Sequence, residues 1–380
     1  MASPLLPIGC YDLLPPTARQ HADLASQLLQ LFESYGYQQV APSLLEYSDN
    51  ILAGRDDLSA QLYRVMDGSS HKVLGIRPDI TLQIARLAAS RMSESPRPLR
   101  VSYNGLVLRK PQGQLETNRQ WRQAGIELIG ADSPEADAEV IAVAVDALHK
   151  LGITEMSVDL NLPGITTSIM EMEKLSDNQR NALLDAIAHK DMQAIKGQKA
   201  DCSELLAALL RSAGDAHSAI LAMETLDLPV KAKNQLNHLK QVVELLRQQQ
   251  LPGCGITVDA TDGRGLNYHH GIGFSVFVMG ISQEVGRGGR YRIQDGQKSE
   301  YATGFTLYVE TLSAIVPPPH EPIRVWVPQG TACKQTAGLR ANGYVTVHAL
   351  PGQADDESEA CRHGCSHIYV NGTIKEIETP

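Results

Sequence analysis

From Gln123 to Gly130 the chain reads Q-A-G-I-E-L-I-G. On a strand, where side chains alternate between faces, this run separates into two sets. Ala124, Ile126 and Leu128 make an apolar side suited to a core, while Gln123, Gly125 and Glu127 place an amide, a gap and a carboxylate on the other. A glycine inside a strand often marks close approach by a ligand or another backbone. A plain amphipathic edge strand bulged at Gly125 fits the same pattern. Around this run, Leu24, Leu28, Leu29 and Phe32 recur at helical spacing in a predicted helix over 17–35 that Gly36 ends. Strands are predicted over 37–41, 72–77, 100–108, 119–130 and 156–162. Helices are predicted over 81–91 and 134–151, the second with Ser133 as its cap. Residues 57–66 read as a short helix running into a loop. The polar loop 110–118 joins two strands with no helix between them, which makes them antiparallel.

Residues 165–250 change character, being helical in pattern and rich in Leu, Ala, Gln and Lys. Strand patterning returns at 256–259 and 270–280. Residues 284–291 read as a glycine-rich turn, followed by a strand and helix through 303–315. A proline-rich linker over 317–322 leads to a small βαβαβ tail. The order of elements is α+β, an antiparallel sheet flanked by helices. The predicted division is a core of 1–164 with 251–316, a helical insertion of 165–250, and a linker with a small C-terminal α/β domain over 317–380. Gly286-Arg287-Gly288-Gly289-Arg290 has no helix behind it and lacks the G-x-x-x-x-G-K-[ST] form, so it is not a P-loop.

Composition narrows the class. At 380 residues, 43% hydrophobic and 20% charged, the chain suits a soluble globular protein of more than one domain. A net charge of −9 without a Lys/Arg-rich block argues against nucleic acid as a partner. The six cysteines lack framework spacing, and no signal segment or apolar run of roughly 20 residues occurs. Free thiols in the cytoplasm, away from any membrane, are therefore expected. Cys361, His363, Cys365 and His367 look metal-like, but no second ligand pair accompanies them, so neither a metal nor a cofactor is expected.

A second informative run is Arg264 to Phe274. As a strand over 268–278 it puts Ile272, Phe274, Val276 and Val278 on one face and His269, Gly271, Gly273 and Ser275 on the other. Asp79 offers an anion for an ammonium, or a cap at a helix start. Arg264 offers a fork for a carboxylate, and Gln123 an amide for either group. Glu127 and His269 can satisfy the two nitrogens of a polar ring. Gly125, Gly271 and Gly273 would leave volume. The set is complementary to a free amino acid with a polar ring, histidine above all; spacing leaves open whether these groups converge.

Ordered motifs along 1–315 carry a resemblance. The opening run 6–15, Tyr35-Gly36-Tyr37 before Pro42, Arg77-Pro78-Asp79-Ile80-Thr81, Arg109 with 119–130, Arg264-Gly265-Leu266-Asn267-Tyr268-His269, Gly288-Gly289-Arg290-Tyr291 and Ala302-Thr303-Gly304-Phe305 resemble the motifs of histidyl-tRNA synthetase. That resemblance implies a class II aminoacyl-tRNA synthetase-like fold and a dimer formed through its core. The departures matter as much. Thr311 stands where the family's motif 3 arginine holds ATP phosphate, and a hydroxyl cannot replace a permanent cation there. Lys110-Pro111-Gln112 follows Arg109 without the family's adenine-contacting glutamate, and the tail is short and not basic.

Retained amino-acid groups with lost adenylation groups are similar to the regulatory-subunit family of ATP phosphoribosyltransferase. The resemblance implies a non-catalytic subunit in a hetero-octamer with the short-form catalytic subunit of histidine biosynthesis, which it activates and subjects to feedback by L-histidine. It implies Asp79 and Thr81 on the ligand ammonium and Arg264 and Gln123 on its carboxylate. Glu127 and His269 would take the imidazole, with Tyr268 closing the pocket. Arg109 and Arg290 stand as residual nucleotide or anion contacts. The other readings are a surviving histidyl-tRNA synthetase, opposed by Thr311, and a tRNA-sensing module, opposed by the acidic charge and short tail.

Overall fold

The computed structural model describes residues 6–52, 58–111, 117–263, 269–295 and 298–377, so Arg264 and Tyr268 lie outside the described residues. Backbone alone is described for His269, at the start of a strand. The strands in chain order are β1 (Gln38–Gln39), β2 (Leu45–Tyr47), β3 (Tyr63–Met66), β4 (Val73–Ile76), β5 (Leu99–Leu108), β6 (Gln120–Ile129), β7 (Met156–Asn161), β8 (Gly214–Asp215) and β9 (Cys254–Asp259). After them come β10 (His269–Val278), β11 (Gly286–Asp295), β12 (Lys298–Tyr308), β13 (Arg324–Val327), β14 (Val345–His348), β15 (His367–Val370) and β16 (Thr373–Glu376).

Nine strands form one sheet in the order β1-β5-β6-β12-β11-β10-β7-β9-β8. Its pairs are antiparallel except β1 with β5 and β7 with β9. One face is apolar: Ala124, Ile126 and Leu128 of β6, Phe305 and Leu307 of β12 and Phe274 of β10 are buried in a single cluster with the helices Thr17–Ser34 and Pro134–Lys150. The cause is period-two alternation on the strands against 3.6-residue recurrence on the helices. The opposite face carries a continuous transverse row. Through pairwise register it runs Val101, Glu127, Gly304, Gly289, Gly273, Asn161 and Asp259. The helix Thr81–Ala89 covers one end of this face, with Ile80, Ile84 and Ala88 packed on Val101 and Tyr103.

Two segments depart from the pattern reading. Residues 286–291, expected as a turn, belong to the ten-residue strand β11. Their glycines serve close packing: a Cβ on Gly288 would lie 2.6 Å from the Phe274 ring. Residues 63–66, expected as helix or loop, pair with β4 as β3. The strands β2, β4 and β3 form a separate sheet. On its inner side a Cβ on Gly75 would meet Ile51 and Leu62. Its other side presents Leu45, Ile76 and Tyr63 in one row and Tyr47, Leu74 and Val65 in the next. Leu45, Tyr47 and Val65 are 43%, 45% and 46% exposed, a loss of burial that an isolated chain leaves uncompensated.

The chain divides into two compact units, Met1–Pro317 and Pro318–Pro380. The helices of 165–250 belong to the first, and β8 within them joins the edge of the main sheet. The second unit is a sheet of order β14-β13-β15-β16, parallel except for the added β16, around the buried Trp326.

Candidate functional site

Glu127 anchors the site because of what surrounds it. It is 1% exposed, and its carboxylate occupies the space a Cβ on Gly304 would fill. Tyr291 donates to Glu127 Oε2 at 3.0 Å. Burial pushes the carboxyl up to about 8; hydrogen bonds from Tyr291 and Thr81 oppose the rise, and the Asp79 charge adds to it. A carboxyl in this state keeps its proton at neutral pH and has one to donate.

Asp79 stands at the entrance to the helix Thr81–Ala89. Its Oδ1 accepts from the Thr81 backbone N–H at 2.9 Å, the local capping role its position suggests. Its Oδ2 accepts from Gln123 Nε2 at 2.8 Å and Arg109 Nη2 at 3.0 Å. Gln123 in turn accepts the Ile80 N–H at 3.1 Å and is fully buried. The amide expected to meet a ligand carboxylate is thus engaged in holding Asp79. Arg109 also donates to the Pro78 carbonyl at 2.7 Å, so the Pro78–Thr81 turn is fixed from both sides.

The structure brings Asp79, Thr81, Gln123, Glu127 and Arg109 together, and adds Tyr103, Thr306 and Tyr291. Tyr103 is paired with Gly125 across the β5–β6 hairpin. Its hydroxyl lies 2.6 Å from Thr306 Oγ1 and 3.5 Å from Thr81 Oγ1. A Cβ on Gly125 would come 2.1 Å from the Phe305 carbonyl oxygen and 2.7 Å from that hydroxyl, so the gap left by the glycine is taken up by β12 and Tyr103. Gly125→Ala is expected to destabilise the fold by about 1–3 kcal/mol through overpacking, read as a lowered denaturation midpoint. The other expected gaps are filled too: Gly273 faces the Asn161 amide, and Gly271 faces the Arg290 side chain.

Arg290 does not join the site. Gly289 shares the face of Glu127, so its neighbour Arg290 points to the helix side. There it is 3% exposed and salt-bridged to Asp137 at 3.0 Å and Asp132 at 2.9 Å. The β11 arginine on the site face is Arg287, two residues before Gly289. It binds Glu284 through Nε at 2.6 Å and lines a cavity of about 370 Å³ with Arg109, Trp121, Tyr308 and Thr311. Alternation along β11 is the signal that assigns 287 and 291, and not 290, to this side. His269 is likewise not placed by alternation from Ser275, because the β10–β11 register shifts between His269 and Gly273. Among the described residues no cluster of His, Cys, Asp and Glu is arranged to hold a metal ion.

A nine-stranded, mostly antiparallel sheet with a buried acid and a motif-bearing hairpin on one face defines a class II synthetase-like protein. The family model for histidyl-tRNA synthetase matches residues 9–312. A solved structure from Bacillus halodurans, described as an ATP phosphoribosyltransferase regulatory subunit/histidyl-tRNA synthetase, superposes with a TM-score of 0.83 at 25% identity, covering 94% of this chain and 96% of that one. The histidyl-tRNA synthetase of Nostoc sp. PCC 7120, at 17% identity, shares the fold with a TM-score of 0.79 over 97% of this chain and 92% of its own. The ATP phosphoribosyltransferase regulatory subunit of Rhodospirillum centenum is 40% identical over 98% of this chain and 96% of its own. That of Paramagnetospirillum magneticum is 40% identical over 98% of each. The chain belongs to the family of ATP phosphoribosyltransferase regulatory subunits.

Proposed function

We propose that the chain binds histidine on the face carrying Glu127 and relays its occupancy to a short-form ATP phosphoribosyltransferase catalytic subunit, which it otherwise activates. The observation that carries this reading is the pairing of a retained, buried Glu127–Tyr291–Thr81 cluster with Thr311 at the position of the family's phosphate-binding arginine. In this reading Asp79 and Thr81 receive the ammonium, Gln123 and Arg109 hold Asp79 in place, and Glu127 meets the imidazole. Arg264, Tyr268 and His269 keep the roles that the family resemblance implies. Adenylation needs a cation opposite the triphosphate that Thr311 does not supply. Feedback then requires only that histidine bind one state of the assembly more tightly than another.

Assembly in the cytoplasm as a self-dimer within a hetero-octamer completes the reading. The outer side of the β2-β4-β3 sheet supports the self-dimer, since Leu45, Tyr47 and Val65 are exposed on it, with the ammonium groups of Lys72 and Lys110 over the Tyr47 and Tyr63 rings. The absence, among the described residues, of a helix long and apolar enough to cross a membrane fits a subunit of this kind. The test is co-purification with a short-form catalytic subunit, followed by assay with and without histidine. Expected are a stable complex, activity above that of the isolated catalytic chain, and inhibition by histidine. Histidine-dependent ATP–pyrophosphate exchange is expected at background; exchange above it would return the chain to the synthetases.

A further inference from the structure

The segment ahead of the first helix is tied to the start of β6. At Gly9 the backbone is left-handed, with φ 82°, and a Cβ there would lie 1.9 Å from the Thr117 carbonyl oxygen. Glycine therefore lets the two stretches of chain approach. The approach allows the Arg119 N–H to bond the Gly9 carbonyl at 2.9 Å. Two residues on, the half-buried Tyr11 shares its one hydroxyl proton between the Gln120 carbonyl at 3.2 Å and Glu310 Oε1 at 3.1 Å. Glu310 also accepts the Arg122 N–H at 2.8 Å through each carboxylate oxygen. Its helix, Val309–Ser313, is anchored from the helix Thr17–Ser34. There Gln20, 6% exposed, donates to the carbonyls of Ser313 at 3.0 Å and Val316 at 2.6 Å.

From this anchorage two short routes lead to Asp79. The Arg109 N–H bonds the Arg119 carbonyl at 2.9 Å, and the Arg109 side chain reaches Asp79 Oδ2 at 3.0 Å. Gln123 follows Arg122 directly on β6, and its amide reaches the same carboxylate oxygen at 2.8 Å. Both side chains that orient the Asp79 carboxylate are thus carried on backbone that the strap 9–11 and Glu310 hold in place.

We infer that Tyr11 is a positioning residue for histidine binding: its hydroxyl locks the start of β6 between strap and helix, and through Arg109 and Gln123 it sets the direction of the Asp79 carboxylate. A hydroxyl shared between a strand carbonyl and a helix acid fixes the spacing of those two elements, which a phenyl ring of the same shape cannot do. The inference rests on the histidine reading of the site.

Tyr11→Phe and Tyr37→Phe in the full chain test it by titration calorimetry with histidine and by thermal melting. Each removes one hydroxyl. Tyr37 is buried and donates to Glu139 Oε1, on the helix Pro134–Lys150, at 2.8 Å. Tyr11→Phe is expected to weaken histidine binding about fivefold, the lower end of the range for an energetic coupling between sites. Tyr37→Phe is expected to lower the melting midpoint at least as much, yet to bind histidine as the wild type does. Wild-type affinity in Tyr11→Phe would overturn the inference. Equal weakening in the two variants would overturn it too, because the loss would then follow stability alone. Should the wild-type chain itself not bind histidine, the site reading fails, and amide hydrogen exchange over 119–123 then judges the strap by itself. Faster exchange in Tyr11→Phe supports it, and unchanged exchange overturns it.

Discussion

Glu127→Ala is expected to abolish histidine binding while leaving assembly with the catalytic subunit intact. The side chain removed is the buried acid of the site, and its nearest polar partners, Tyr291 and Thr81, would be left without it. Unchanged calorimetric affinity in this variant would rule out the site. The raised carboxyl, at about 8, adds a pH signature. Free imidazole takes its proton near 6.5, so between about 6.5 and 8 a protonated Glu127 meets a neutral ring, and the complex forms without net proton exchange. Below that window a proton must leave, and above it one must be taken up, so affinity is expected to fall on both sides. Glu127→Gln keeps a neutral donor at all pH values and is expected to lose the fall on the alkaline side. Stability follows by linkage. The native state holds this proton more tightly than the unfolded chain, so the wild type loses stability as pH rises from the ordinary carboxyl range toward 8, by an amount on the order of 4 kcal/mol. Glu127→Gln removes that slope, which parallel denaturant titrations at pH 5 and pH 8 would read.

The second large effect lies on the opposite face of the sheet. Arg290→Ala is expected to destabilise the fold by about 3–5 kcal/mol, because it leaves Asp137 buried without its principal counter-charge. Asp137 is 2% exposed, and its remaining partner, His238, lies 2.7 Å away. Arg290 also donates to the carbonyls of Ala131 at 3.1 Å and Ser133 at 2.7 Å, so its loss orphans the turn that opens the helix Pro134–Lys150. Arg287→Ala makes the contrast. Its side chain is 52% exposed beside Glu284, and exposed pairs contribute up to about 1 kcal/mol. Equal losses in the two variants, measured by chemical denaturation, would contradict the assignment of one arginine to structure and the other to the site face.

Much of this was legible from residue order where a single element decided the outcome. The two faces of β6 followed from alternation, because no bulge interrupts it, and Glu127 fell on the side opposite the core. The helix Thr17–Ser34 followed from apolar spacing, and the helix Pro134–Lys150 was expected behind Ser133, which caps it without a side-chain hydrogen bond. What pattern could not supply was register and bulge placement. Tyr103 looks like any strand residue until the hairpin register sets it across from Gly125. The glycines of 286–291 mimic a turn, yet they admit Phe274 and the neighbouring backbone of β12. On β10, a shift between His269 and Gly273 interrupts the alternation that had grouped His269 with Ser275. Arg290 drew attention as part of a resembling motif, and only the parity of its strand shows that it faces the helices. Gln123 was expected to offer its amide to a ligand carboxylate, whereas in the structure that amide donates to Asp79.

Strand β4 ends at Ile76, and Asp79 follows after only Arg77 and Pro78. Arg77, 7% exposed, grips the carbonyls of Pro42 at 2.9 Å and Leu106 at 2.7 Å. The small sheet and the carboxylate proposed to meet histidine thus lie at two ends of one short segment held by Arg77. Anything that seats on the sheet leans on that segment, and a guest at the carboxylate leans back. If copies pair through the small sheet as proposed, dilution is expected to alter histidine affinity, and calorimetry at two protein concentrations would read the difference.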